Sequence, residues 1–248
     1  MNESGASSAL MLSPVAYIRT DFPDKFGLPR QSGLVPALTG EIVFLPEYSQ
    51  PEAVRGMEQF SHLWLIWGFH AAERPAGKGW SATVRPPRLG GNTRMGVFAT
   101  RSPFRPNPLG LSCVRLEAVC ADAQPVRLMV SGIDLLDGTP IYDIKPYIPL
   151  ADCKPEAAEG YTAATKQHCL QVNFPAKLLE LLPPDKRTAA AELLRQDPRP
   201  GYADDPERIY GISFAGFDIR FTVSGEALTV CEVLSLKERS KQKNGKTV

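Results

Sequence analysis

The sequence predicts a mainly β chain: a barrel or sandwich of short strands over the first two thirds, then a small α+β unit. Three observations predict it. Pro and Gly number 23 and 20 among 248 residues, punctuation too frequent for long helices. Short apolar and β-branched runs lie between those breaks. Near residue 150 the texture changes to Ala- and Leu-rich helical patterns, followed by three more strand-like runs.

In the first unit the strand-like runs are 15–19, 41–45, 63–69, 95–100, 111–119 and 126–133. The run 63–69 is the longest apolar one and reads as a buried strand. One helix is expected over 51–60, with Pro51 in its first turn. The second unit opens with a polar, Ala-rich segment at 157–165. Helical patterns follow at 176–182 and 185–196, where Leu178, Leu179, Leu182, Leu193 and Leu194 offer apolar faces. Strands are expected at 209–214, 217–223 and 228–236. The expected units are therefore 12–150 and 151–236, with disordered tails at 1–11 and 237–248.

Composition excludes several classes. No apolar run approaches the ~18 residues of a membrane-spanning helix. Residues 1–10 lack the cationic start and apolar centre of a signal peptide. The five cysteines are odd in number and scattered, with no CxxC pair, so neither a disulfide framework nor a zinc ribbon is expected. Free thiols in a reducing cytoplasm are the simplest account. A shared metal on His62 and His70 is not expected, since eight residues of strand separate them by roughly 26 Å. No GxGxxG joins a strand to a helix, and no P-loop, HExxH or GxSxG occurs.

Charge is segregated. Between Arg74 and Leu116 there are eight basic residues, seven of them Arg, and no Asp or Glu. The whole chain is at +1, so everything outside that stretch is acidic on balance. Arg suits bidentate contact with phosphate or carboxylate, and solvated faces normally mix both signs. The stretch therefore predicts a polyanion-binding surface. Within it, Ser102-Pro-Phe-Arg-Pro-Asn-Pro108 holds Phe104, Arg105 and Asn107 between prolines of fixed φ. Phe104 suits stacking on a base, Arg105 a phosphate and Asn107 an amide-like edge, while a rigid linker with a core Phe fits the same pattern. Asp134, Asp137 and Asp143, with Tyr142 and Lys145, form a polar cluster about the Asp137-Gly138 turn. Carboxylates there can bind ribose hydroxyls, offset a cationic ligand or move a proton, or simply cap a turn.

Several longer motifs resemble those of the TsaA-like, TrmO-type tRNA methyltransferases. They are Pro29-Arg-Gln31, Phe60-Ser-His-Leu-Trp64, Arg85-Pro-Pro-Arg-Leu-Gly-Gly-Asn92, Met95-Gly-Val-Phe-Ala-Thr-Arg101 and Ser102-Pro-Phe-Arg-Pro-Asn-Pro108. Asp134-Leu-Leu-Asp-Gly-Thr-Pro140 and Asp143-Ile-Lys-Pro-Tyr147 belong with them. The resemblance is close over 13–150 and looser in Gln196-Asp-Pro-Arg-Pro-Gly-Tyr202 and the final strands.

The resemblance implies a compact β-barrel methyltransferase domain outside the Rossmann class, with a small C-terminal α+β domain. It implies S-adenosyl-L-methionine as methyl donor and N6-threonylcarbamoyladenosine at tRNA position 37 as substrate, methylated on N6. It also implies a homodimer. Carried over by motif, the donor contacts would be Pro29, Arg30, Gln31, His70, Arg101 and Leu111, with the segment Ile133, Asp134, Leu135, Leu136 and Asp137. Arg85, Arg88, Arg94, Arg105, Asn107, Lys145 and Arg199 are the expected tRNA contacts. Arg105, Asp137, Tyr142 and Asp143 are the candidate catalytic groups. Two other readings stand beside it: a non-catalytic RNA-binding barrel, which shares the Arg surface, and a methyltransferase of another small substrate.

Overall fold

The computed structural model describes residues 10–72, 80–86, 89, 93–165, 169–199 and 205–237. Strand β1 (Ala16–Thr20) alternates cleanly: Ala16 and Ile18 are buried, Tyr17 and Arg19 face out. It pairs antiparallel with β2 (Thr39–Phe44), which buries Ile42 and Phe44 the same way. Strand β3 (His62–Gly68) turns Leu63, Leu65 and Trp67 inward. A short hairpin follows, β4 (Thr83–Val84) with β5 (Met95–Gly96). Then come β6 (Leu109–Cys120), β7 (Arg127–Ser131) and β8 (Thr139–Pro146).

Six of these strands close a barrel in the order β1-β2-β7-β6-β3-β8. Every pairing in it is antiparallel. Closure leaves no edge for another chain to pair with, and it forces inward and outward side chains to alternate on every strand. The inward set, including Ile18, Ile42, Leu63, Leu65, Val114, Leu128, Val130 and Ile141, is essentially inaccessible to water.

The second unit starts after α1 (Pro149–Asp152), a single turn. Strand β9 (Gln171–Asn173) precedes α2 (Ala176–Leu179) and α3 (Pro184–Arg195). Helix α3 buries Ala189, Ala190, Leu193 and Leu194, one stripe at helical spacing. It begins on Pro184, whose ring is tolerated in a first turn. Strands β10 (Tyr210–Phe214), β11 (Phe217–Ser224) and β12 (Ala227–Ser235) form a meander, and β9 adds parallel to β12. The sheet order is β10-β11-β12-β9. The two units share one continuous core, with Phe22 against Phe214 at 5.3 Å between ring centres.

Three expectations are corrected. The helix over 51–60 is instead two 3-10 turns, Pro51–Val54 and Met57–Gln59. Arg55 is extended and Gly56 has φ +87, so helical backbone cannot pass between them. The strand over 95–100 stops after two residues and becomes a 3-10 turn, Val97–Ala99, closed by the Thr100 hydroxyl donating to the Val97 carbonyl. The polar segment after Gly138 is not only a turn. It becomes β8, the strand that closes the barrel between β1 and β3.

Candidate active site

The site begins with a glycine. In the β3–β6 register Trp67 faces Gly110 and Leu65 faces Ser112. A Cβ at Gly110 would lie 2.2 Å from Trp67 Cε2, so only glycine leaves room for the indole to lie across β6. Held there, Trp67 Nε1 donates to Ser112 Oγ at 2.9 Å. An indole N–H only donates, so Ser112 must accept it and turn its own hydrogen elsewhere. That hydrogen goes to Asp134 Oδ1 at 2.6 Å. Ser112 is fully buried, and its orientation is set from both sides.

Asp134 follows β7 in the segment 133–136, between the barrel core and the turn at Gly138, which has φ +73. Burial pushes its carboxyl up to about 6. The Ser112 hydroxyl, the backbone N–H groups of Asp134 and Ser32, and the Arg101 guanidinium pull in the opposite direction. A half-buried carboxylate beside a cation and several donors is the kind of group that functional sites contain.

The segment 29–33 reaches this carboxylate from the other side. The backbone N–H of Cys113 donates to Ser32 Oγ at 3.1 Å, and Gly33 donates to the Gly132 carbonyl at 2.8 Å. These bonds lay the segment along β6 and β7. Gln31 Nε2 donates to the Arg30 carbonyl at 2.6 Å, which turns Gln31 Oε1 outward to accept from Arg101 Nη1. Arg101 itself is exposed. Gln31, Arg101 and Asp134 are thus brought together from three distant parts of the chain. Pro29 is buried, and Arg30 is half-buried with Nη2 donating to the Arg199 carbonyl at 3.2 Å.

Other expected contacts lie in varied places. Ile133 and Leu135 point into the core, at 1% and 0% exposure, so a ligand can meet only their backbone. Leu136 is half-buried. His70 is exposed on the turn after β3, beside Phe69, whose N–H donates to the Pro108 carbonyl at 3.0 Å. That bond sets the turn against the Pro-rich loop.

Leu111 is 51% exposed and points away from Ser112, because neighbours on a strand face opposite sides. In register with Ile66 and Asp143, it lies on the barrel's outer face and is not part of the Asp134 cluster.

Two candidate catalytic carboxylates are also committed elsewhere. Asp137 Oδ1 accepts the Thr20 N–H at 2.9 Å and fixes the end of β1. Asp143 pairs with Lys145 at 2.9 Å on the outer face. Tyr142 is half-buried with its ring packed over Gly68.

The cationic stretch is largely exposed where it is described. Arg85, Arg94 and Asn107 are exposed, and Phe104 is 46% exposed. Arg94 Nη1 donates to Thr83 Oγ1 across the β4–β5 hairpin at 3.1 Å. Arg105 is half-buried, with Nη1 on the Thr100 carbonyl at 3.2 Å, so it also stiffens its own loop. Arg88 lies outside the described residues.

Arg199 is a correction. It is 6% exposed and forms a bidentate pair with Asp197, at 2.7 Å from Nε to Oδ1 and 2.8 Å from Nη2 to Oδ2. A guanidinium enclosed in the chain's own ion pair is not available to a phosphate. Sequence reasoning also missed Trp67 and Ser112. Their signal was available: a polar residue at an inward position of a strand, with Gly110 and Val114 on either side.

A closed antiparallel barrel with a carboxylate and a guanidinium at its rim, followed by an α+β unit, defines the class: a two-unit β-barrel protein outside the Rossmann fold. Comparison with known proteins specifies it further. The N-terminal domain of tRNA-methyltransferase O matches residues 17–153, and the TrmO C-terminal domain matches residues 167–236. The chain belongs to the tRNA-methyltransferase O family.

It is 41% identical to the tRNA (adenine(37)-N6)-methyltransferase of Escherichia coli K12, over 94% of this chain and all of that one. It is 44% identical to a putative S-adenosylmethionine-dependent methyltransferase, RcsF, of Pseudomonas aeruginosa, over 85% of this chain and 91% of that one. The crystal structure of TrmO from Pseudomonas aeruginosa superposes with a TM-score of 0.74 at 35% identity, covering 94% of this chain and all of that one. Family membership makes the chain an enzyme of the tRNA methyltransferase class. No helix among the described residues is long and apolar enough to cross a membrane.

Proposed function

We propose that this protein uses S-adenosyl-L-methionine to methylate N6 of N6-threonylcarbamoyladenosine at position 37 of tRNA. The observation that carries the reading is the meeting of Gln31, Arg101 and Asp134 at the barrel rim, inside a chain whose relatives are named for the adenine-37 N6 reaction. The donor supplies a methyl group on a sulfonium cation. The residues present fit such a group: Asp134 is a half-buried carboxylate already held by Ser112, and it offers the opposite charge.

Arg101 and Gln31 present an N–H fork and an amide, suited to a carboxylate on the donor or on the threonyl group. Methyl transfer requires N6 in line with the breaking sulfur–carbon bond, so positioning by the fixed 29–33 segment supplies much of the rate. As the N6–carbon bond forms, N6 gives up its proton. Asp137 and Asp143 are engaged with Thr20 and Lys145, so we assign that proton to solvent water.

The tRNA backbone is assigned to Arg85, Arg94 and Arg105, with Phe104 and Asn107 on the splayed bases. The homodimer and the cytoplasmic setting belong to the same proposal. The exposed apolar side chains Leu111, Ile148 and Leu150 offer surface for a second copy, and the five cysteines are free thiols.

Saturating donor should raise the melting temperature. At a hundred times its dissociation constant the stabilisation is about 2.7 kcal/mol. No shift, together with intact RNA binding, would favour a non-catalytic RNA-binding barrel.

Arg101→Ala should lower kcat/KM for methylation by about ten- to a hundred-fold, the scale of a lost charge-assisted contact. Wild-type rates in that variant would remove Arg101 from the site. The tRNA affinity should fall by about fifty-fold between ~50 and ~200 mM salt if roughly four phosphates are neutralised. An affinity flat across that range would count against the Arg surface.

A further inference from the structure

The turn that ends α3 lies in the second unit, yet it holds the segment that leads to Asp134. Gln196 and Asp197 close the helix by donating backbone N–H to the carbonyls of Leu193 and Leu194, at 3.1 and 3.3 Å. Asp197 then takes φ +51, a left-handed conformation for a residue other than glycine. That turn aims its carboxylate at Arg199, and the pair is buried at 1% and 6% exposure. A buried ion pair gives little net stability after desolvation, and its best-attested use is to fix geometry. Here it fixes the Arg199 backbone. The Arg199 carbonyl accepts Arg30 Nη2, Gln31 Nε2 donates to the Arg30 carbonyl, and Gln31 Oε1 accepts Arg101.

We infer that the Asp197–Arg199 turn is a positioning device for the methyl-donor segment, setting Arg30 and Gln31 and, through Gln31, the Arg101 guanidinium. The inference rests on the reading of residues 29–31 as donor-binding. It extends that reading by giving the second unit a role in donor affinity.

The approach to residue 29 is tied to the same unit at two earlier points. Lys186 Nζ of α3 pairs with Asp21 Oδ2 at 2.6 Å, and the Ala215 N–H donates to the Asp21 carbonyl at 3.0 Å. Gly27 lies so close to Ile212 of β10 that a Cβ would stand 2.7 Å from its Cγ2. The segment 21–31 is therefore held along its length by α3 and the second sheet. From residue 32 onward it is held by the barrel. Gln31 sits where the two supports meet.

The test uses amide hydrogen exchange and steady-state kinetics on the full-length protein. Exchange is read without donor or tRNA, so it stands or falls separately from the proposed reaction. In Asp197→Asn, and in Arg199→Lys, which keeps a cation but loses the bidentate fork, the amides of Gln31, Ser32 and Gly33 should exchange about ten-fold faster. The amides of β7 should be unchanged. KM for the donor should rise about ten-fold, and KM for tRNA should stay within about two-fold. Adding Arg30→Ala to Asp197→Asn should cost no more than Arg30→Ala alone, as expected of residues acting in series.

Unchanged exchange at residues 31–33 would overturn the inference. So would a uniform acceleration across both sheets, which is a plain stability role. Additive losses in the double variant would overturn it too. Where Asp197→Asn does not accumulate as folded protein, Arg30→Ala leaves the ion pair intact and carries the same exchange measurement.

Discussion

Asp134→Asn should reduce donor affinity by about ten- to a hundred-fold at neutral pH while leaving the protein at least as stable as the wild type. Asn keeps the shape and still accepts the Ser112 hydrogen bond, but it removes the charge proposed to offset the sulfonium. A charge pair near a protein surface is worth on the order of 4 kcal/mol at contact before desolvation is subtracted, so one to two decades is the expected scale.

The stability half of the prediction follows from linkage. Burial raises Asp134 in the folded protein to about 6, above its ordinary value of 3.8. Between those two values the unfolded chain has lost its proton and the folded chain has kept it. Stability therefore falls as pH rises through that window, and stays lowered above it. Asn carries no such penalty. A variant that is more robust and less active marks a site where stability has been traded for function.

The same shift gives the wild-type donor affinity a pH profile. It should be flat above neutrality and decline as pH drops below about 6, where Asp134 takes up a proton. Calorimetric titration of the donor across that range checks it. A pH-independent affinity in the wild type, or one that Asn preserves, would remove Asp134 from the donor site.

Gly110→Ala should be the most damaging small substitution in the barrel. The new methyl would overlap the Trp67 ring at 2.2 Å from Cε2 and 2.4 Å from Cζ2, and neither atom belongs to a flexible tip. Forcing a buried aromatic ring aside costs about 1–3 kcal/mol or more. For a chain of this size that lowers the melting temperature by roughly 2–12 °C. The ring carries Nε1 with it, so Ser112 loses the bond that turns its hydrogen toward Asp134. Donor affinity should fall in the same variant, beyond what its lower stability explains at a temperature where it is fully folded. Thermal melts and donor titrations check both halves. A wild-type melting temperature would mean that Trp67 does not lie across β6.

The strands most legible in the sequence were those where one face is buried. In β1 and β11 apolar and polar residues alternate as a half-buried strand requires, β3 is a continuous apolar run, and the expected positions differ from the observed ones by a residue or two. Strand β8 was hidden because Tyr142, Asp143 and Lys145 read as part of a polar cluster about the Asp137-Gly138 turn. Its place depends on β1 and β3, which are far away in sequence.

The site shows the same division. Residues 29–31, Arg101 and Asp134 were legible as motifs. That they face one another, and that Leu111 and Asp143 face the other way, follows from barrel closure and register. Arg199 shows a different gap. Its charge suggested a phosphate partner, but Asp197, two residues away in a left-handed turn, encloses it.

The proposed reaction is read out by incubating the purified protein with S-adenosyl-L-methionine and two preparations of one tRNA, with and without the threonylcarbamoyl group on adenosine 37. The nucleosides are then analysed by mass spectrometry. One added methyl, on N6 of threonylcarbamoyladenosine, is expected in the first preparation alone. A methyl group on unmodified adenosine or elsewhere in the tRNA, or no product from a protein that binds the donor, would contradict it.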